Sequence, residues 1–136
     1  MKKSHSHFMN TLFRAAEALP KVAGAQIAAG IVYKNRFVSI GFNEMKTHPM
    51  AAKYGRNKDA IYLHAEVSAI RNAIRHMSEE DMSRATLYVA RVKKDRPGGV
   101  FIPGNAKPCI GCARAIAEFN LARVVYSHED GICEIS

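Results

Sequence analysis

The sequence contains no tryptophan and only three cysteines. So few cysteines, and an odd number of them, exclude a disulfide framework as the organising principle and fit a reducing compartment where thiols are free for other work. No run approaches the roughly 18 apolar residues of a membrane span, so no membrane association is expected. Met1 to Asn10 is polar and has no apolar signal core. Repeats and low-complexity tracts are also missing. What remains is an ordinary globular composition, 48% hydrophobic and 24% charged over 136 residues, which argues against disorder. That length gives one domain, 1–136, able to bury roughly two thirds of its unfolded surface. The expected location is cytoplasmic. Twenty basic residues against twelve acidic ones give a net charge of +8. The excess favours an anionic partner such as a nucleotide or nucleic acid, although excess charge also serves solubility.

Residues 6–19 carry Phe8, Leu12, Ala15, Ala16 and Leu19 near one face, a helix that Pro20 stops. Two β-branched and aromatic runs, 25–33 and 36–42, flank Lys34-Asn35 and predict a hairpin. Residues 43–63 form a long basic connection. Val67, Ile70, Ile74 and Met77 then recur at helical spacing over 64–77, with Arg71 and Arg75 outside. A strand is expected at 86–91, a breaker-rich stretch at 92–107 with a short strand around Val100–Ile102, a helix at 109–119 and a strand at 122–127. Asp130-Gly131 is a turn signal before a last edge strand near 132–135. The order αββαβαβ(β) predicts one sheet with helices on its faces.

Two short motifs carry the chemistry. His64-Ala65-Glu66 opens one helix, and Pro108-Cys109-Ile110-Gly111-Cys112 opens another. His64 lies three residues before Val67 and prolongs its stripe; Cys109 and Cys112 are i and i+3, and Ile116 and Phe119 continue theirs. If both stripes face the sheet, one His and two Cys converge between two helix N-termini. That donor set suits zinc with an open fourth position, the catalytic pattern. Helix N-termini favour thiolate over thiol. Glu66 is poorly placed to share a tetrahedral corner with His64, but well placed to act as general base on a metal-activated water. A competing arrangement recruits His128 and Cys133 with the CxxC into a four-ligand structural site, which would make the chain a zinc-stapled binding module and leave His64 and Glu66 unexplained. A thioredoxin-like redox pair is disfavoured because a Pro/Gly-rich loop, not a strand, precedes the CxxC.

His64-Ala65-Glu66 together with Pro108-Cys109-x-x-Cys112 resembles the zinc-dependent cytidine and deoxycytidylate deaminase superfamily. Gly41-Phe42-Asn43 closes the second strand where family members carry a substrate-contacting Asn. The stretch from His64 to Ile70 resembles the deoxycytidylate deaminase branch, and Asn43 to Pro49 resembles small deaminase-like proteins of bacteriophages. The likeness covers about residues 22–127. It implies a three-layer α/β/α cytidine deaminase-like fold with a mixed central sheet of about five strands. It also implies one Zn2+ per chain on His64, Cys109 and Cys112, with Glu66 shuttling protons as cytosine becomes uracil. The Ala65 amide would contact the base, the Pro108 carbonyl would orient the exocyclic amine, and Asn43 would hold the sugar. The plain alternative for Asn43 is a turn residue ending a strand. A homo-oligomer is implied, and host cytoplasm if a phage encodes the protein. The basic stretch at 92–107 departs from the family, which often has a short loop there.

Lys46, His48, Lys53, Arg56 and Lys58 crowd the connection between Asn43 and His64, where Lys46 and Arg56 could hold a 5′-phosphate. A second cluster, Arg91, Lys93, Lys94 and Arg96, could extend a nucleic-acid track. Few aromatics accompany either cluster, and single-strand channels usually stack bases on aromatics. The order of expectation is therefore a free nucleotide with dCMP first, then cytidine or deoxycytidine, then single-stranded nucleic acid. Purine bases share the same zinc chemistry.

Overall fold

In the computed structural model, residues 4–18, 26–43, 65–96, 98–107 and 110–135 are described, by backbone alone at 110–113 and 134–135. Helix α1 (His5–Glu17) opens at Ser4, whose hydroxyl accepts the His7 amide at 3.2 Å and satisfies one orphan donor of the first turn. Its buried stripe is Phe8, Met9, Leu12 and Ala16. Met9 joins the expected stripe, Ala15 is half-buried, and Leu19 and Pro20 lie outside the described residues. Strands β1 (Gln26–Tyr33) and β2 (Arg36–Phe42) form the expected hairpin. Lys34 and Asn35 both take positive φ, 52° and 67°, in the two-residue turn whose twist matches paired strands.

Helix α2 (Ala65–Ala73) is shorter than the expected 64–77. Ser78 accepts the Asp81 amide at 3.1 Å and caps a separate one-turn helix, α3 (Glu79–Met82), whose acidic first turn suits the helix dipole. That competing start draws the chain out of α2 at residues 74–76. Ile74 therefore leaves the buried stripe and is 39% exposed, and Arg71, expected outside, is half-buried. The Tyr33 hydroxyl donates to Asp81 at 2.9 Å and holds that carboxyl below the ordinary aspartate range.

Strand β3 (Thr86–Lys94) outruns the expected 86–91. The basic stretch at 92–107 continues it and returns antiparallel as β4 (Phe101–Gly104), in register from Lys94 opposite Phe101 to Arg91 opposite Gly104. Asp95 closes the connection, its carboxylate accepting the Val100 amide at 3.1 Å. Helix α4 (Ile110–Glu118) leads to β5 (Arg123–His128), and β6 (Gly131–Ile135) returns antiparallel to β5. His128, one residue beyond the strand expected at 122–127, is the last residue of β5.

The strands form one six-stranded sheet in the order β2-β1-β3-β5-β6, with β4 added to β3. β3 and β5 pair in parallel and the other pairs are antiparallel, so the sheet is mixed as expected. Strand alternation divides the core. Ala29, Ile31, Leu87, Val89, Val124 and Tyr126 pack with α2 and α4 on one face, while Ala28, Val32, Tyr88, Ala90, Val92 and Val125 pack with α1 on the other. The result is three layers, α1 over the sheet over α2 and α4.

Gly41 sets how closely α2 approaches β2. A Cβ there would lie 2.7 Å from the Ala65 carbonyl oxygen and from Ser68 Cβ, and closer still to the Ala69 amide nitrogen. Two of these are backbone atoms and cannot rotate away. Gly41→Ala is therefore expected to destabilise the fold by about 1–3 kcal/mol or more, measured as a lower urea midpoint at unchanged slope.

Candidate active site

Helix α2 is fixed lengthwise on β2 by two polar contacts. The Ser39 hydroxyl donates to the Ala69 carbonyl at 2.8 Å, and the Asn72 amide donates to the Ile40 carbonyl at 3.3 Å. With Gly41 beneath its first turn, the N-terminus of α2 sits at the C-terminal end of β2. Antiparallel pairing places Phe42 beside Ala28 at the start of β1, and Ala28 beside Ala90 towards the end of β3. The start of α2 therefore marks one particular end of the sheet, the C-terminal end of β3.

Helix α4 starts at that same end. Ser127, fully buried on β5, accepts the Arg91 amide at 3.0 Å and donates to the Gly104 carbonyl at 2.7 Å. Its own carbonyl accepts the Ala106 amide at 2.9 Å. These bonds pin the segment that leads into Pro108-Cys109 to the C-terminal ends of β3 and β5. At the other end of α4, Ala122 donates to the Ala85 carbonyl at 3.0 Å, just before β3 begins. The two helices thus run parallel to each other, pack side by side on one face, and present their N-termini at one end of the sheet.

Glu66 lies in the first turn of α2 and is 6% exposed. Burial of a carboxylate is costly unless it is bonded, and the positive end of the helix dipole offsets part of that cost. Ala65, also fully buried, is the first residue of α2. Asn43 extends the strand pairing beyond β2: its amide donates to the Ile27 carbonyl at 3.3 Å, and its side-chain oxygen accepts the Ile27 amide at 3.1 Å. The strand-ending role is therefore present, and it fixes the carboxamide at the site end of the sheet. Cys112 is the third residue of α4. His64, Lys46, Arg56, Pro108 and Cys109 lie outside the described residues.

His128 and Cys133 are engaged locally. His128 Nδ1 accepts the Asp130 amide at 3.3 Å, at the tip of the β5–β6 hairpin. Cys133 stands opposite Tyr126 and packs against the α2/α4 core. Burial, and then the bond to Cys133, push the Tyr126 hydroxyl above its ordinary pKa. Among the described residues no three His, Cys, Asp or Glu side chains cluster. Two described clefts, of about 380 and 610 Å3, border α1 and not the N-termini of α2 and α4.

The supporting residues were missed in the sequence. Gly41, Ser39 and Ser127 act through contacts with residues distant along the chain, so only composition hints at them. The sequence alone places Arg91 in a basic cluster. Two of its members have local partners: Lys93 pairs with Glu129, and Lys94 Nζ lies 5.2 Å from the Phe101 ring centre.

The family model for the cytidine and deoxycytidylate deaminase zinc-binding region matches residues 2–128. No curated protein sequence matches this chain. Among solved structures, the chain is similar to the apo dCMP deaminase of the cyanophage S-TIM5, with a TM-score of 0.56 at 17% identity over 92% of this chain and 86% of that one. The same phage enzyme in complex with dCMP and dUMP aligns with a TM-score of 0.55 at 17% identity, over 90% of this chain and 79% of that one. RibD of Acinetobacter baumannii aligns with a TM-score of 0.51 at 21% identity over 90% of this chain, which spans 27% of RibD. These likenesses are of fold, and they agree with the three-layer architecture.

Proposed function

Because the chain belongs to the cytidine and deoxycytidylate deaminase zinc-binding family, we propose that it hydrolyses cytosine to uracil in a free nucleotide or nucleoside, with dCMP to dUMP as the preferred reaction. The observation that carries this reading is the meeting of two helix N-termini at one sheet end, with the carboxylate of Glu66 buried in the first turn of one of them. His64 immediately precedes α2, Cys109 immediately precedes α4, and Cys112 belongs to the first turn of α4. An imidazole and two thiolates at such a junction fit zinc, one ion per chain. When bound, zinc supplies the Lewis acid that makes water nucleophilic near neutral pH.

The residues of the chain then handle protons and orientation. Glu66 accepts one proton from the attacking water and passes it to the ring nitrogen, then takes the second from the hydroxyl of the tetrahedral C4 adduct and passes it to the leaving amine, so cytosine and water become uracil and ammonia. The Ala65 amide contacts the base, the Pro108 carbonyl orients the exocyclic amine, and Asn43 holds the sugar. The phage neighbour has been crystallised with dCMP and dUMP, and a nucleotide is the substrate class we assign here. The local engagement of Lys93 and Lys94 argues against a continuous basic track for single-stranded nucleic acid. A homo-oligomer in the cytoplasm belongs to the same reading.

Incubation with dCMP, CMP, deoxycytidine, cytidine, dCTP, adenosine, guanine and single-stranded DNA, with products identified by mass, tests the reaction. Uracil products from small substrates are expected; inertness towards all of them would refute it. The basic connection after Asn43 is assigned to the 5′-phosphate. A charge-assisted phosphate contact is worth about ten- to a hundredfold in selectivity. The kcat/KM ratio of dCMP over deoxycytidine is expected to fall by that factor in Lys46→Ala and Arg56→Ala, and to shrink at high salt. A wild-type ratio of one would remove the phosphate assignment.

A further inference from the structure

Arg91 stands at the site end of β3, two residues beyond Val89, whose side chain packs in the α2/α4 core. Alternation along the strand therefore directs Arg91 to the face that carries the two helix N-termini. Its aliphatic stem runs over Gly104, where a Cβ would come within 3.1 Å of Cγ and Cδ, so glycine leaves the space that the stem occupies. The guanidinium is under-used. Among the described residues Nε is buried without a hydrogen-bond partner, and Nη1 reaches the Asn105 carbonyl at 3.5 Å. Arg71 Nε is the other such atom among the described residues, but it lies farther along α2, away from this sheet end. Glu129, whose carboxylate feels both Lys93 and Arg91, makes its ion pair with Lys93.

A buried donor without a partner is a costly arrangement that an incoming acceptor relieves. A planar guanidinium fork matches two oxygens of one phosphate better than any neutral acceptor. We propose that Arg91 is a substrate-specificity residue that binds the phosphate of the nucleotide from the β3–β4 side of the site. The assignment rests on the deaminase reading for the identity of the nucleotide. It gives the long basic departure at 92–107 a role: strand β4 supplies the glycine over which the arginine reaches.

The test compares wild type, Arg91→Gln and Arg91→Lys in two measurements. The first is the kcat/KM ratio of dCMP over deoxycytidine. The second, which needs no turnover, is the calorimetric affinity for dUMP relative to deoxyuridine. Arg91→Gln is expected to lower both ratios by about ten- to a hundredfold, with Arg91→Lys between it and wild type because charge is kept and the fork is lost. An equal loss for nucleoside and nucleotide would make Arg91 a brace for the segment entering α4 and overturn the proposal, as would unchanged ratios. If the protein deaminates nothing, the dUMP measurement still decides the role of Arg91, so failure of the reaction and failure of this residue are told apart.

Discussion

Glu66→Gln or Glu66→Ala is expected to yield a folded, zinc-loaded protein whose turnover is about a hundred to ten thousand times slower. In the proposed mechanism Glu66 moves protons and does not hold the metal. The fold survives because α2 is anchored by other groups: Val67, Ala69, Ile70 and Ala73 in the core, and Ser39 and Asn72 through hydrogen bonds. The glutamine variant keeps the volume of a residue that is 6% exposed and removes only its charge and basicity. The alanine variant also opens space at the first turn of α2. Both variants should match wild type in metal content and circular dichroism while product formation collapses. An alanine variant with near-normal turnover would dismiss the mechanism.

Cys109→Ala should lose zinc, and with it activity, whereas Cys133→Ala should retain both. The three protein ligands of the proposed site leave no redundancy, so deleting one thiolate would remove a third of the donor set. Cys133 has another employment, bonded to Tyr126 and packed against the α2/α4 core. Metal analysis of the two purified variants checks this. Equal metal loss in both would favour the four-ligand site that includes His128 and Cys133.

The parts of the fold that were legible in the sequence are those written locally. Lys34-Asn35 specified its turn, Phe8, Leu12 and Ala16 specified the face of α1, and Asp130-Gly131 specified the last hairpin. The end of α2 was misjudged because Ile74 and Met77 keep helical spacing, while Ser78, three residues before Asp81, begins another helix. The extent of β3 is hidden because Val92 is strand through distant partners, Gln26 and Pro103, and Lys93 and Lys94 through Ile102 and Phe101. The site motifs are plain as sequence, whereas the common end of the sheet at which α2 and α4 begin is expected only on the condition that both buried stripes face the sheet. That depends on Gly41, which lets α2 settle onto β2, and on Ser127, which ties three strands' worth of backbone to one hydroxyl and one carbonyl.

The β3–β4 hairpin also changes the chain statistics of the stretch it occupies. As open loop, residues 92–107 would sample many shapes, and whatever followed would inherit that slack. Folded as a ladder from Arg91–Gly104 to Lys94–Phe101, the stretch is closed at its far end by the Asp95 amide on the Val100 carbonyl and the Gly99 amide on the Arg96 carbonyl. Its return leg is clamped by Ser127 only a few residues ahead of Pro108-Cys109. Extra length in this part of the chain therefore acts as a lever arm of fixed geometry. Residues could be added at the 96–99 tip with little consequence at Gly104, while one added between Gly104 and Cys109 would shift the start of α4 out of phase with α2.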